Sequence, residues 1–237
     1  VDLADLIRRT LDRRPEPGAP LRIVQAGHPA LRRRAVSPAE RVEPALLAEL
    51  AAAMTVTMRR APGVGLAAPQ VGIPLRLVVV EDAHASTPGE DPEDDLLERR
   101  PLPLRTLADP VLEPLGEQDV VAWEGCLSVS GWRSIVPRAR RVRLRATELD
   151  AAGQGTAVEE EHLGWTARIL QHETDHLHGV LCHDRMVPRS YVDEAYVHHY
   201  AEIPQAVRRL GLTGPIAELG PEQVVLPRPA RAADAGA

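Results

Sequence analysis

Two histidines four residues apart, in His172-Glu173-Thr174-Asp175-His176, commit this stretch to a helix if both rings are to serve one site. On an α-helix, positions i and i+4 share a face, so both imidazoles reach a single metal ion. Glu173 is turned about 100° from His172, placed to hold a proton over a metal-bound water without ligating. That arrangement is used for hydrolysis. Two imidazoles fill half of a tetrahedral site, so the rest of the chain has to supply a third protein ligand. The spacing predicts a helix from Leu163 or Trp165 to His178, stopped at Gly179.

Around that helix the periodicities are short. Leu3, Leu6, Ile7 and Leu11 make an amphipathic stripe over 3–14, broken by Pro15, Pro17, Gly18 and Pro20. A stronger stripe runs over 44–60 through Leu46, Leu47, Leu50, Ala53, Met54 and Met58, and Pro62-Gly63 ends it. Leu75 to Val80 reads as a buried strand, with further strands expected near 107–112, 118–124 and 141–149. A turn at Gly153-Gln154-Gly155 leads into one more strand before Gly164. Residues 190–210 read as helical around Pro204. The expected class is α+β, with short, mostly antiparallel strands packed around the central motif-bearing helix.

The domain reading is an extension over 1–20, a catalytic domain over 21–210 and a flexible tail over 211–237. The acidic, proline-rich stretch 83–105 lacks either period and reads as a mobile surface excursion. The chain has no Lys, Phe or Asn, so its core has to be built from Leu, Val, Ile and Ala. A net charge of −6 gives no electrostatic case for a nucleic-acid site. The basic runs Arg32-Arg33-Arg34 and Arg138 to Arg145 read as solvated faces offset by acids. No apolar segment is long enough to span a bilayer, and no export signal opens the chain, so a cytoplasmic, reducing location is expected. With two cysteines, a disulfide framework is not expected, and an available thiol reads as a ligand or a reactive group.

Glu124-Gly125-Cys126-Leu127-Ser128 closes a strand-like run, and its thiolate can point across at the motif helix. Cys plus two His with an open fourth position is a recognised catalytic metal pattern. With Gly63-Val64-Gly65-Leu66-Ala67-Ala68-Pro69-Gln70, the chain carries three ordered signatures, G-x-G-L-A-A-x-Q, E-G-C-L-S and H-E-x-D-H. That ordered set resembles the peptide deformylase family, which removes formyl groups from nascent bacterial and organellar proteins.

The resemblance implies one divalent cation held by Cys126, His172 and His176, with Fe²⁺ the physiological ion and Zn²⁺ or Ni²⁺ as alternatives. It implies attack by a metal-bound water with Glu173 as general base and acid, and binding of the formyl oxygen by Gln70 and the Leu127 amide. Gly65 and Val64 would line the cleft, and Arg133 would approach the substrate backbone. An apolar pocket for the Met side chain is expected from Val64, Ile169, Trp132 or Leu127. Asp175 either orients a ligand, pairs with an arginine or supports the helix, and Glu124 with Arg138 forms a candidate support pair. Cys182, where the family commonly has Phe, reads as a core filler. Ser130 departs from a frequent proline. Partners implied are N-formylmethionyl nascent peptides with transient ribosome contact, and no membrane. A zincin-like endopeptidase and an inactive metal-binding homologue are the rival readings; the first would have no need of Cys126, the second none of Glu173.

Overall fold

Strand periodicity decides where the core lies in a computed structural model that describes residues 2–228. In chain order the first elements are α1 (Leu3–Asp12), α2 (Pro44–Arg60), β1 (Gly65–Ala67), β2 (Leu77–Asp82) and α3 (Pro92–Leu96). Then come β3 (Leu102–Gly125), β4 (Trp132–Leu149), β5 (Gly155–Leu163), α4 (Gly164–Leu177), β6 (Val192–Asp193), α5 (Ile203–Leu210) and β7 (Val225–Pro227). The main sheet has the order β1-β2-β3-β4-β5, all antiparallel, with β6 added to β4 and β7 to β3.

Successive side chains of a strand leave opposite faces. On β2, Leu77 and Val79 join Ile7, Leu50, Met54 and Met58 from α1 and α2, whereas Val78 and Val80 join Ile169, Leu170 and Leu177 from α4. Burial on both faces explains the unbroken apolar run. The motif helix is therefore packed against one side of the sheet while α2 covers the other. Leu102, Leu107 and Leu144 complete the α4 side.

Several expectations change. The segments 107–112 and 118–124 are parts of one 24-residue strand, β3. Its register against β4 shifts between Ala108 and Val111 and between Leu115 and Asp119, where Asp109 and Gly116 take positive φ. Pro110, Pro114 and Gly116 fall within this strand, which its bulges tolerate. The stretch 83–105 is anchored, not mobile: α3 lies within it, Asp94 is buried, and Arg99 pairs with Asp82 and Asp94 at 2.8 and 3.3 Å. Acidic residues that looked solvated are the counter-charges of that arginine.

The tail is corrected similarly. Residues 211–228 pack: Leu212, Ile216 and Val224 are buried with Ile203 and Ala206, and β7 pairs with Gln118–Val120 of β3. Widely spaced single apolar residues between Pro and Gly hide such a contact from any periodicity. The remainder of that expected tail, 229–237, lies outside the described residues. The 190–210 helix is split into a 3-10 turn, Glu194–Tyr200, and α5.

Candidate metal centre and cleft

The motif helix α4 begins at Gly164 with φ +58°, and a Cβ there would lie 2.4 Å from the Glu98 Cβ and 2.8 Å from the Leu97 carbonyl oxygen. Glycine lets the helix start against the anchored 83–105 segment. Two turns later His172 and His176 face the same way, ring centroids 5.0 Å apart at 78°. The Cys126 Sγ, just past the end of β3, lies 3.4 Å from His176 Nε2. The sulfur and one nitrogen from each imidazole all fall within 4.8 Å of one another.

These three donors fit a divalent cation. Metal–sulfur and metal–nitrogen bonds of about 2.3 and 2.0–2.1 Å at a tetrahedral angle put S and N roughly 3.5 Å apart, close to the Cys126–His176 separation. The Glu173 Oε2 is buried and has no hydrogen-bond partner among the described residues. Buried polar atoms normally find partners, so this one is reserved for something that enters the site. The chain crosses directly above it: a Cβ on Gly65 would sit 2.3 Å from Glu173 Oε1. Only glycine allows that approach, which accounts for the second glycine of Gly63-Val64-Gly65.

Gln70 is almost fully buried, its Oε1 accepting from the Ala67 amide at 2.7 Å and its Nε2 pointing to Cys126 Sγ at 3.7 Å. The Leu127 carbonyl accepts from Gln25 Nε2 at 3.0 Å, holding the loop that carries the Leu127 amide. Ser130 takes the place of the frequent proline without freeing this loop, because its hydroxyl donates to the Leu127 carbonyl at 3.2 Å.

A buried ion network lies behind the centre. His172 Nδ1 meets Glu124 Oε2 at 3.0 Å. Glu124 also takes two bonds of 2.9 Å from Arg138 and one from Arg168. Arg138 reaches on to Asp175, which accepts from Arg185 at 2.7 and 2.8 Å. Asp175 thus pairs with arginines, and Arg138, read both within a solvated basic run and as a buried support partner of Glu124, takes the second place, 4 % exposed.

The charges follow from this packing. Burial acts against the Glu124 carboxylate, but Arg138 and Arg168 outweigh it and hold the group well below the usual carboxylate range. Burial likewise opposes an imidazolium at His172, yet its bonds to Cys126 and Glu124 raise it well above its ordinary value. Burial, with the neighbouring His172, pushes His176 down to about 4. The Cys126 thiol is drawn down by a hydrogen bond from the Cys182 thiol, against burial and with help from His172. A thiolate and a neutral His176 are the protonation states a cation takes.

The centre opens on a cleft of about 510 Å³ whose walls include Val64, Gly65, Leu127, Trp132, Arg133, Ile169 and Glu173. The expected pocket residues are therefore together. Arg133 is there as well, with Nε and Nη2 donating to Glu194 Oε1 at 3.1 and 2.5 Å. Trp165 and Arg99 also line the cleft and were not singled out from the sequence. Trp165 lies four residues before Ile169 on the same helical face, a legible signal; Arg99 arrives through ion pairs that no spacing announces.

Comparison with known proteins now bears on this arrangement. The sequence model of the Polypeptide deformylase family matches residues 20–191. The chain belongs to the peptide deformylase family. It is 50 % identical over 175 residues to peptide deformylase 3 of Streptomyces avermitilis, covering 73 % of this chain and 74 % of the relative. It is 47 % identical over 180 residues to peptide deformylase 1 of Streptomyces coelicolor, covering 75 % and 78 %. Among solved structures, a Met-Ala-Ser bound class I type b peptide deformylase from Acinetobacter baumannii superposes with a TM-score of 0.59 at 32 % identity, covering 71 % of this chain and 99 % of that one.

Membership makes this chain a metal-dependent peptide deformylase, which removes formyl groups from polypeptide N termini, on the α+β fold of that family. Helix α1 and the segment from β6 to β7 lie outside the matched residues, although both are packed against the deformylase fold. No helix among the described residues is long and apolar enough to cross a membrane.

Proposed function

We propose that Cys126, His172 and His176 hold one divalent cation, and that this centre deformylates N-formylmethionyl nascent peptides. The reading rests on one observation, a sulfur from the end of β3 meeting two imidazoles from one helical turn within 4.8 Å. Bound there, the cation supplies Lewis acidity to water and to the formyl oxygen. One thiolate with two neutral imidazoles suits Fe²⁺ as well as Zn²⁺ or Ni²⁺, and Fe²⁺ is our choice for the cell.

Each protein group then has a defined task. Glu173 takes the proton of the attacking water and returns it to the departing amine nitrogen. Its position is fixed by the close passage of Gly65. The Gln70 Nε2 and the Leu127 N–H stabilise the oxyanion as the formyl carbon becomes tetrahedral; one such donor is typically worth roughly 2.7–4 kcal/mol of barrier. Val64, Ile169, Leu127 and Trp132 receive the methionine side chain and keep water from it. Arg133 faces the peptide backbone. Its substrate places the enzyme in the cytoplasm with transient ribosome contact, without a nucleic-acid site of its own.

Formate release from formyl-Met-Ala-Ser tests the assignment. The Glu173→Ala variant should lose about 10²–10⁴-fold in kcat while retaining its metal. Unchanged turnover in that variant would remove Glu173 from the reaction, and cleavage of a blocked internal peptide bond would contradict the substrate class.

A further inference from the structure

Cys182 is the buried nucleophile for which deformylation has no use. It opens the 3-10 turn Cys182–Arg185, 1 % exposed, and shares an apolar cluster with Cys126, Leu31, Val129, Val136 and Leu181. Both cysteines are free thiols. Each sulfur lies within 4.8 Å of a ring nitrogen of the same side chain, His172: Cys126 in the group with His176, Cys182 in a second group with Glu124. The two sulfurs thus share one buried cluster and one neighbouring side chain, His172. Cys126 lies just past the end of β3 and Cys182 opens a single 3-10 turn, so neither is held inside an α-helix or a strand.

We propose that Cys126 and Cys182 are a peroxide-responsive thiol pair, closing to a disulfide that withdraws Cys126 from the metal site and reopening on reduction. The layout sets the order of steps. Cys126 lines the cleft and Cys182 does not, so a hydroperoxide entering the cleft meets Cys126 first. The Cys126 thiolate attacks a peroxide oxygen, the S–O bond forms, the O–O bond breaks, and the departing oxygen takes a proton from solvent to leave as water or an alcohol. The Cys182 sulfur then attacks the Cys126 sulfur; the S–S bond forms, the S–O bond breaks, and hydroxide leaves with the Cys182 proton as water. Two thiols give up two electrons, and the peroxide accepts them. A smaller phenomenon is excluded by the same geometry: with a resolving thiol at hand, oxidation stops short of the irreversible sulfinic and sulfonic acids.

The loss of activity that follows rests on Cys126 being a ligand; the bond itself does not. Holoenzyme as purified is treated with hydrogen peroxide, then denatured and counted for thiols by maleimide labelling and intact mass. Wild type should go from two labels to none, lose about 2 Da, yield a Cys126–Cys182 cross-linked peptide, and recover both labels with dithiothreitol. The Cys182→Ser variant should instead gain oxygen atoms at Cys126 that dithiothreitol does not remove fully. Wild type that keeps two labels, or gains the same oxygen adducts as the variant, overturns the pair. Formate release from formyl-Met-Ala-Ser before oxidation is scored separately: its absence counts against the deformylase reading, whereas thiols that stay open count against this inference alone.

Discussion

Two sets of arginine–carboxylate pairs hang on the same strand, β4, and they do different work. Arg138 is buried to 3 % side-chain exposure against Glu124 at 4 % and Asp175 at 11 %. Arg143 and Arg145, five and seven residues further along the strand, face Glu113, Glu159 and Glu161 with exposures between 33 and 56 %. Water and salt screen the second set, where a pair is worth about 0–1 kcal/mol. The first set has given up its hydration and is held by mutual pairing alone. A buried network is weak as a source of stability, because apolar packing of equal volume often does as well. What apolar packing cannot do is accept a hydrogen bond from His172 Nδ1. The Glu124 carboxylate does, and thereby fixes which nitrogen His172 turns towards Cys126 and His176.

The sharpest way to break this contrast is to delete the shared cation. Arg138→Ala leaves Glu124 and Asp175 facing each other's charge with only Arg168 and Arg185 to compensate. Urea unfolding of this variant should show a loss of about 3–5 kcal/mol. A loss below 1 kcal/mol would mean that water enters behind α4 and that the two sets are alike.

A subtler change tests positioning apart from stability. Glu124→Gln keeps the shape and removes the charge that aligns His172. Metal affinity, measured by competition with a chelator, should fall by about 10–100-fold, with kcat per bound metal falling less. Glu113→Gln, on the exposed set, should leave affinity unchanged. Equal effects from the two would show that His172 needs no partner behind it.

The contrast between the sets also marks what the sequence discloses. Arg138 to Arg145 reads as one solvated basic run, yet alternation along β4 puts Arg138 in phase with Val136, Val142 and Leu144, all buried. The signal was present in the period of two and masked by composition. The motif helix and its stop at Gly179 were legible because helix spacing and metal geometry demand the same residues. The strand in β2 and the stripe of α2 were legible because each buries a continuous apolar face. The anchoring of 83–105 was not, since it depends on Arg99 finding Asp82 and Asp94, and pairing partners carry no period. The packing of 211–228 was hidden for a related reason: β7 adds to β3 by backbone hydrogen bonds, which any sequence can make. At the site, His172, His176 and Glu173 stood out by spacing and Cys126 by its place in Glu124-Gly125-Cys126-Leu127-Ser128, whereas Trp165 needed the helical face to be followed one turn further back.

The smallest expected effect is the one that closes the comparison. Arg143→Ala removes the centre of the exposed ladder, whose contacts to Glu113 and Glu161 span 3.4 and 3.1 Å. Unfolding should shift by about 0–1 kcal/mol, and the shift should shrink as ionic strength rises and the Debye length falls towards about 3 Å at 1 M salt. Arg138→Ala, by contrast, should keep its deficit in the same salt, because no counterion reaches a pocket closed by α4 and β4. A salt-independent loss of more than 2 kcal/mol at Arg143 would require the ladder to be shielded from solvent, and the exposed and buried sets would then differ in position but not in kind.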